Sequence, residues 1–337
     1  MIAVNDPAVG PRPKAVSPSW RSVFLTGLAL WIASVAVTAV TQNSNMIPTV
    51  VMLGSFLVPA SAVVWYLDHD RSPVLTPALV LRAFIVGGVP GVLAVSLLES
   101  WLLGSGVLAY VGAGLIEELA KLLALAFIAR GLTRYAVRDG IVLGAAVGFG
   151  FAALESSGYA LNALIVQQGS QIGFSLSSLV LTELLRGVLA PVGHGLWTGI
   201  LGGVLFGASR RGRLRPSLSV VATYLLMAVL HGLWDSMQDI AVLVTEVLTA
   251  TTLQRLTLAM LASGRLTTPT SQQLVIDVLA QIVGLALVSS IGIAVLWRVW
   301  RTRSMDGAQR SAAAGVASRR LSARRGLPAE PPGARAR

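Results

Sequence analysis

Seven ionisable residues in the middle of this 337-residue chain lie within or beside stretches that are otherwise almost entirely apolar. They are Glu117, Glu118, Lys121, Glu155, His194, His231 and Asp235. A charge inside a membrane costs about 2.5–3.5 kcal/mol on insertion scales, so such residues are rare and usually functional. Carboxylates and imidazoles together can activate water, transfer protons or hold a metal ion. The residue types therefore predict either a hydrolase or a proton or ion pathway.

The spacing of these residues predicts contacts within single helices. Glu117 and Lys121 are four residues apart, so they share a helix face and can form an ion pair, with Glu118 on the neighbouring face. His231 and Asp235 are also four apart, and the carboxylate could orient the imidazole by accepting a ring N–H. We therefore assign supporting roles to Lys121 and Asp235.

The apolar stretches predict an all-α fold, a polytopic integral membrane helical bundle with about eight transmembrane helices. Hydrophobic residues make up 54% of the chain and charged residues 12%, whereas a soluble domain has about 25% charged residues. The predicted spans are residues 22–40, 46–67, 83–103, 107–129, 140–165, 187–208, 217–240 and 274–297.

These spans divide the chain into six regions. They are a cytoplasmic N-terminal segment (1–21), three N-terminal transmembrane helices (22–103), a four-helix catalytic core (107–240), an external loop with an interfacial helix (241–273), a last transmembrane helix (274–299) and a disordered basic cytoplasmic tail (303–337). The four core helices carry all seven ionisable residues.

The basic residues predict the orientation of the chain. The net charge is +11, and most arginines flank the spans on one side, which the positive-inside rule assigns to the cytoplasm. This pattern predicts a multi-pass protein of the cell membrane with both termini in the cytoplasm. It indicates attraction to the lipid bilayer and argues against a nucleic-acid partner.

The ionisable side chains are predicted to lie at one depth. Counted from the external end of its own span, each of Glu155, His194 and His231 lies about 7–10 residues in, and Glu118 about 11, which corresponds to roughly 10–17 Å. Side chains that served only to join pairs of helices would have no reason to share a depth. We therefore expect one cluster in the outer half of the membrane.

One chemistry for this cluster uses a metal. His194, His231 and Glu155 could hold Zn²⁺ and leave a position open for water, while one of the two adjacent glutamates acts as the base. The chain has no cysteine, so thiolate ligands, disulfides and a cysteine nucleophile are excluded.

A second chemistry needs no cofactor. Glu117 or Glu118 would act as the general base, and the histidines or Asp235 would stabilise the oxyanion. Two other classes use the same residues: a proton- or ion-coupled transporter, and a scaffold whose polar cluster only fixes helix packing.

The motifs resemble those of the PrsW family of intramembrane proteases. The run from Glu117 to Lys121 resembles its EExxK motif, and the run from Phe151 to Glu155 resembles its FxxxE motif. His194, and His231 with Asp235 as HxxxD, resemble its later histidine motifs. The resemblance covers about residues 107–239 and extends more distantly to the CAAX prenyl endopeptidases and bacteriocin-immunity proteins.

This resemblance implies a membrane peptidase whose catalytic set includes Glu117, Glu118 and His231 or His194. It also implies that the substrate is a membrane protein, such as an anti-sigma factor cleaved at site 1. A catalytic site in the outer half of the membrane suits cleavage from the outside.

Overall fold

The computed structural model describes residues 19–69, 72–168, 171–210, 212–249 and 270–324, and these are almost entirely helical. The helices are α1 (Trp20–Thr41), α2 (Ile47–His69), α3 (Pro77–Leu102), α4 (Val107–Ala129), α5 (Val137–Leu164), α6 (Leu176–Leu189), α7 (His194–Ala208), α8 (Leu218–Asp235), α9 (Met237–Thr249) and α10 (Ser271–Arg324). Short 3₁₀ turns precede α2 (Ser44–Met46) and α7 (Ala190–Val192). A two-stranded antiparallel hairpin, β1 (Ile165–Gln168) and β2 (Gln171–Phe174), joins α5 to α6.

The fold class predicted from the sequence is confirmed. Seven helical stretches of the described residues are long and apolar enough to cross a membrane. Helix α4 has 23 residues, enough to cross, but it carries three charged residues close together at its centre, Glu117, Glu118 and Lys121. Large apolar side chains cover the outside of the bundle, as expected of surfaces that face lipid.

Backbone contact between α5 and α7 forms the centre of the bundle. Three glycines at four-residue spacing on α5 each lie against a carbonyl oxygen of α7. The pairs are Gly140 with Gly202, Gly144 with Thr198, and Gly148 with His194. Small residues at this spacing allow membrane helices to approach closely. The first turn of α7, which includes His194, is therefore held directly against α5.

A second close approach joins α4 to α8. Gly114 of α4 lies against the carbonyl oxygen of Ala228, and Gly232 of α8 lies against the carbonyl oxygen of Tyr110. The Tyr224 hydroxyl adds a hydrogen bond to the carbonyl oxygen of Leu115, at 2.9 Å. These contacts place the charged face of α4 beside the histidine of α8.

The predicted sixth span, residues 187–208, is not one continuous helix. Helix α6 ends at Leu189, a 3₁₀ turn follows, and α7 begins at His194 after the non-helical backbone of Gly193 (φ −104°, ψ −118°). Pro191 lacks the N–H that a continuous helix would need, which explains the break. Helix α6 was missed because its Glu183 and Arg186 interrupt the apolar pattern.

Two further boundaries differ from the prediction. Helix α8 ends at Asp235, and α9 starts at Met237, before the predicted external loop. With 13 residues, α9 is about 20 Å long, too short for a hydrocarbon layer of about 30 Å. It packs against α10, where the Met237 side chain contacts Gly284. The remainder of the predicted loop, residues 250–269, lies outside the described residues.

Helix α10 continues past residue 303, where the disordered tail is predicted to begin, and ends at Arg324. The segment 303–324 is rich in alanine and arginine, which both favour helix strongly. It contains no proline, which would interrupt a helix. The rest of the tail, residues 325–337, and most of the predicted N-terminal segment, residues 1–18, lie outside the described residues.

The glycine contacts predict opposite outcomes for two alanine substitutions on α5. Gly144→Ala would place a methyl group against the backbone of α7 and should destabilise the protein, since overpacking costs about 1–3 kcal/mol. Gly158→Ala meets no atom within 4 Å and should be neutral or slightly stabilising. Thermal unfolding of both variants in detergent measures the difference. Equal melting temperatures would show that the contact between α5 and α7 is not tight.

Candidate active site

Lys121 of α4 lies at the centre of the ionisable residues. Its side chain is fully buried, and its Nζ lies 3.0 Å from Glu117 Oε2 and 2.9 Å from Glu118 Oε1. It also lies 4.1 Å from the centre of the Phe151 ring, so an aromatic face supports the cation. The pair predicted between Glu117 and Lys121 is present, and Lys121 binds the second glutamate as well.

His194 connects this centre to α5. Lys121 Nζ donates a hydrogen bond to His194 Nδ1 at 2.8 Å, and His194 Nε2 lies 2.9 Å from Glu155 Oε2. An ammonium group has no lone pair, so Nδ1 must be the acceptor and Nε2–H the donor to Glu155. The two contacts therefore fix one tautomer, with its lone pair directed into the centre.

His231 of α8 reaches the same centre from the opposite side. Its Nδ1 lies 3.1 Å from Glu118 Oε1. Its Nε2 lies 3.5 Å from Glu117 Oε2 and 3.3 Å from Asp235 Oδ2 but makes no hydrogen bond with either. Asp235 is thus near the imidazole, as the spacing predicted, while Glu118 holds the ring in orientation.

Among the residues that the structure describes, one group of three could hold a metal ion. A ligand atom from each of Glu117, His194 and His231 lies within 4.8 Å of the other two, and all three residues are buried. The sequence suggested Glu155 as the carboxylate ligand, but Glu155 lies behind His194 on its other nitrogen.

The donor set fits a catalytic metal in type and number. Two imidazoles and one carboxylate are a common catalytic zinc set. The outer nitrogen of each ring is held by a carboxylate, Glu155 or Glu118, as metal-bound histidines usually are. The unpaired Nε2 of His231 is free to serve as a ligand. An ion would compete with the Lys121 ammonium, which already binds Glu117 and His194.

Arg186 of α6 is a functional candidate that sequence reasoning missed. Its Nη2 lies 2.6 Å from Glu155 Oε2, its Nε donates to Ser156 Oγ at 2.8 Å, and its guanidinium lies 4.1 Å from the centre of the Tyr159 ring. The predicted sixth span begins at residue 187, so the sequence places Arg186 in the loop before it. The sequence does indicate that Arg186 is unusual, because no other arginine or lysine occurs between Arg138 and Arg210.

Aromatic residues enclose the two histidines. The Trp197 ring lies 5.7 Å from the His194 ring and 4.8 Å from the His231 ring, measured between centroids. Phe151 lies 5.5 Å from His194 on another side. Solvent exposure increases toward Glu155 and Asp235, whose side chains are 18% and 26% exposed. The cluster is therefore open to its surroundings at that end.

Carboxylates, imidazoles and an ammonium that converge inside a helical membrane bundle are the groups with which a membrane-embedded hydrolase can activate water. The family model for PrsW family intramembrane metalloproteases matches residues 74–263, more than half of the chain. The chain belongs to this family, and it is a multi-pass membrane protease. The family predicted from the motifs is thus confirmed. Searches of curated proteins and of solved structures found no match.

The Arg186 contacts predict a role in positioning Glu155. Arg186→Gln should lower the cleavage of a membrane-anchored substrate by about 10–100-fold, the usual cost of removing a partner behind an active-site histidine. Arg186→Lys should restore part of the activity, because lysine keeps the charge but cannot bind Glu155 and Ser156 together. The matched control is Arg215→Gln, an exposed residue of the loop before α8. Equal activities of Arg186→Gln and Arg215→Gln would contradict this role.

Proposed function

We propose that the chain hydrolyses a peptide bond in a single-span membrane protein, using Glu117, Glu118, His194 and His231 with Glu155 in support. The observation that carries the proposal is the position of Glu117, whose carboxylate lies between the two imidazoles in a buried centre. The motifs of the chain resemble those of family members associated with site-1 cleavage. The substrate we propose is therefore a membrane-bound anti-sigma factor.

Without a bound metal, the general base in this proposal is Glu117. Glu118 Oε1 already accepts from Lys121 and His231, and its side chain is fully buried. Glu117 retains slight exposure and would take a proton from water and return it to the leaving amine. Lys121 and a protonated His231 would place positive charge beside the oxyanion that forms on the substrate.

The metal we propose is zinc, held by Glu117, His194 and His231. When bound, it would polarise the attacking water and the peptide carbonyl as a Lewis acid. Glu117 would then be a ligand, and Glu118 would carry the proton through Oε2, the buried oxygen without a hydrogen-bond partner. Glu155 would keep its role of orienting His194.

The orientation we propose places both termini in the cytoplasm, because the arginine-rich loops follow the positive-inside rule. Glu155 and Asp235 then face the outer half of the membrane, and the substrate would be cut from outside. Membership of a protease family argues against the transporter alternative.

The first test replaces the proposed base. Glu117→Gln should reduce cleavage of a purified single-span substrate in detergent by about 10²–10⁴-fold, the contribution of general acid–base catalysis. Its melting temperature should fall less than that of Glu118→Gln, because Glu117 hydrogen-bonds Lys121 alone. Glu118→Gln should also lose activity but melt lower, because it weakens a buried partner of Lys121 and His231. Glu246→Gln on α9 is the control. The assignment fails if Glu117→Gln cleaves as well as the control.

The second test measures the metal. Elemental analysis of purified protein should find one zinc per chain, and His231→Ala should lose it. His69→Ala should retain the zinc. The sequence has three histidines, and His69 is the one outside the site, exposed at the end of α2. Equal zinc contents in the two variants would rule out the proposed ligand set.

A further inference from the structure

A cavity of about 210 Å³ lies between α1, α2 and α6. Its walls are almost wholly apolar, and they include Phe24, Leu28, Leu57 and Val58. The volume is below the roughly 300–1,000 Å³ of pockets that hold drug-sized ligands. The cavity therefore has room for one long side chain and not for a whole ligand.

One buried acid lies in this apolar wall. Glu183 of α6 is 4% exposed, and its Oε2 accepts a hydrogen bond from Trp31 Nε1 at 2.8 Å. Its Oε1 is buried and has no hydrogen-bond partner. A buried carboxyl oxygen without a partner is costly, and more so at membrane depth. Glu183, a residue that lines the cavity, therefore has one carboxyl oxygen without a partner.

The residues around Glu183 do not neutralise it. Among the described residues, no basic side chain forms an ion pair with it, and the nearby Arg186 of α6 pairs with Glu155 instead. The cavity thus combines one acid with apolar walls. A lysine side chain complements both features, because its four-carbon stem suits apolar surface and its ammonium supplies donors.

The cavity borders the lipid-facing side of the bundle. Leu184 and Val188, which line it, are 51% and 76% exposed, so in a bilayer they face acyl chains. A ligand or a side chain of another protein can therefore enter the cavity from within the membrane. An acyl chain could fill the apolar space, but it offers no donor to Glu183 Oε1.

We propose that this cavity is a substrate subsite that binds a lysine side chain carried within the membrane-spanning segment of the substrate. The proposal rests on the proposed function. Helix α6 carries both Glu183 and Arg186, and three residues of helix span about 4.5 Å. Glu183 therefore lies within one helical turn of Arg186, the residue that holds Glu155.

The test uses two single-span substrates that differ only at one mid-span position, which is lysine in one and leucine in the other. The wild-type protein should show a KM about tenfold lower for the lysine substrate, as expected for one charge-assisted hydrogen bond, with kcat similar for both. Glu183→Gln should remove this preference, and the control Glu246→Gln should keep it. Binding of the uncleaved segments to Glu117→Gln protein, followed by fluorescence, gives a second readout.

The outcomes separate the two proposals. Lysine preference in binding that depends on Glu183, without any cleavage, would uphold the subsite and refute the proposed function. Cleavage without a preference, or with one that survives Glu183→Gln, would refute the subsite alone. Should Glu183→Gln fail to fold, Gly187→Leu provides the second variant, because a side chain there would fill the cavity beside Val58. It should abolish the lysine preference, and retention would overturn the subsite.

Discussion

The buried ammonium of Lys121 is the interaction on which the rest of the site depends. Two adjacent carboxylates at membrane depth would repel each other and lose their hydration, and the ammonium lies between them at 3.0 and 2.9 Å. Its third contact, with His194 Nδ1, selects the tautomer that can donate to Glu155. The arrangement of charges on α4 therefore determines the proton positions on α5 and α7.

The helices can deliver these side chains to one centre only because their backbones touch. The glycines of α5 bring its backbone against α7, and Gly114 and Gly232 do the same for α4 and α8. Larger residues there would separate the helices by more than hydrogen bonds between short side chains can bridge. Packing and chemistry are therefore set by the same positions, and a change made to improve one alters the other.

Contacts within one helix could be predicted from the sequence, because spacing determines them. The pairing of Glu117 with Lys121 and the nearness of His231 to Asp235 are of this kind. Contacts between helices depend on how each helix is rotated about its axis, which spacing does not determine. That is why Glu155 was placed among the metal ligands and its contact with Arg186, 31 residues away, was missed. The composition of segment 303–324 suits a helix as well as a disordered chain, so it could not decide between them.

The short range of the α4 contacts has a consequence for biogenesis. Lys121 lies three and four residues from its two carboxylate partners, so one positive charge can offset a negative one while α4 enters the bilayer alone. Glu155 of α5 has no such neighbour and depends on Arg186, which is synthesised later on α6. Insertion of α5 therefore brings into the lipid an acid that has no positive partner on its own helix. A translocation machinery that holds α5 until α6 emerges would avoid that cost.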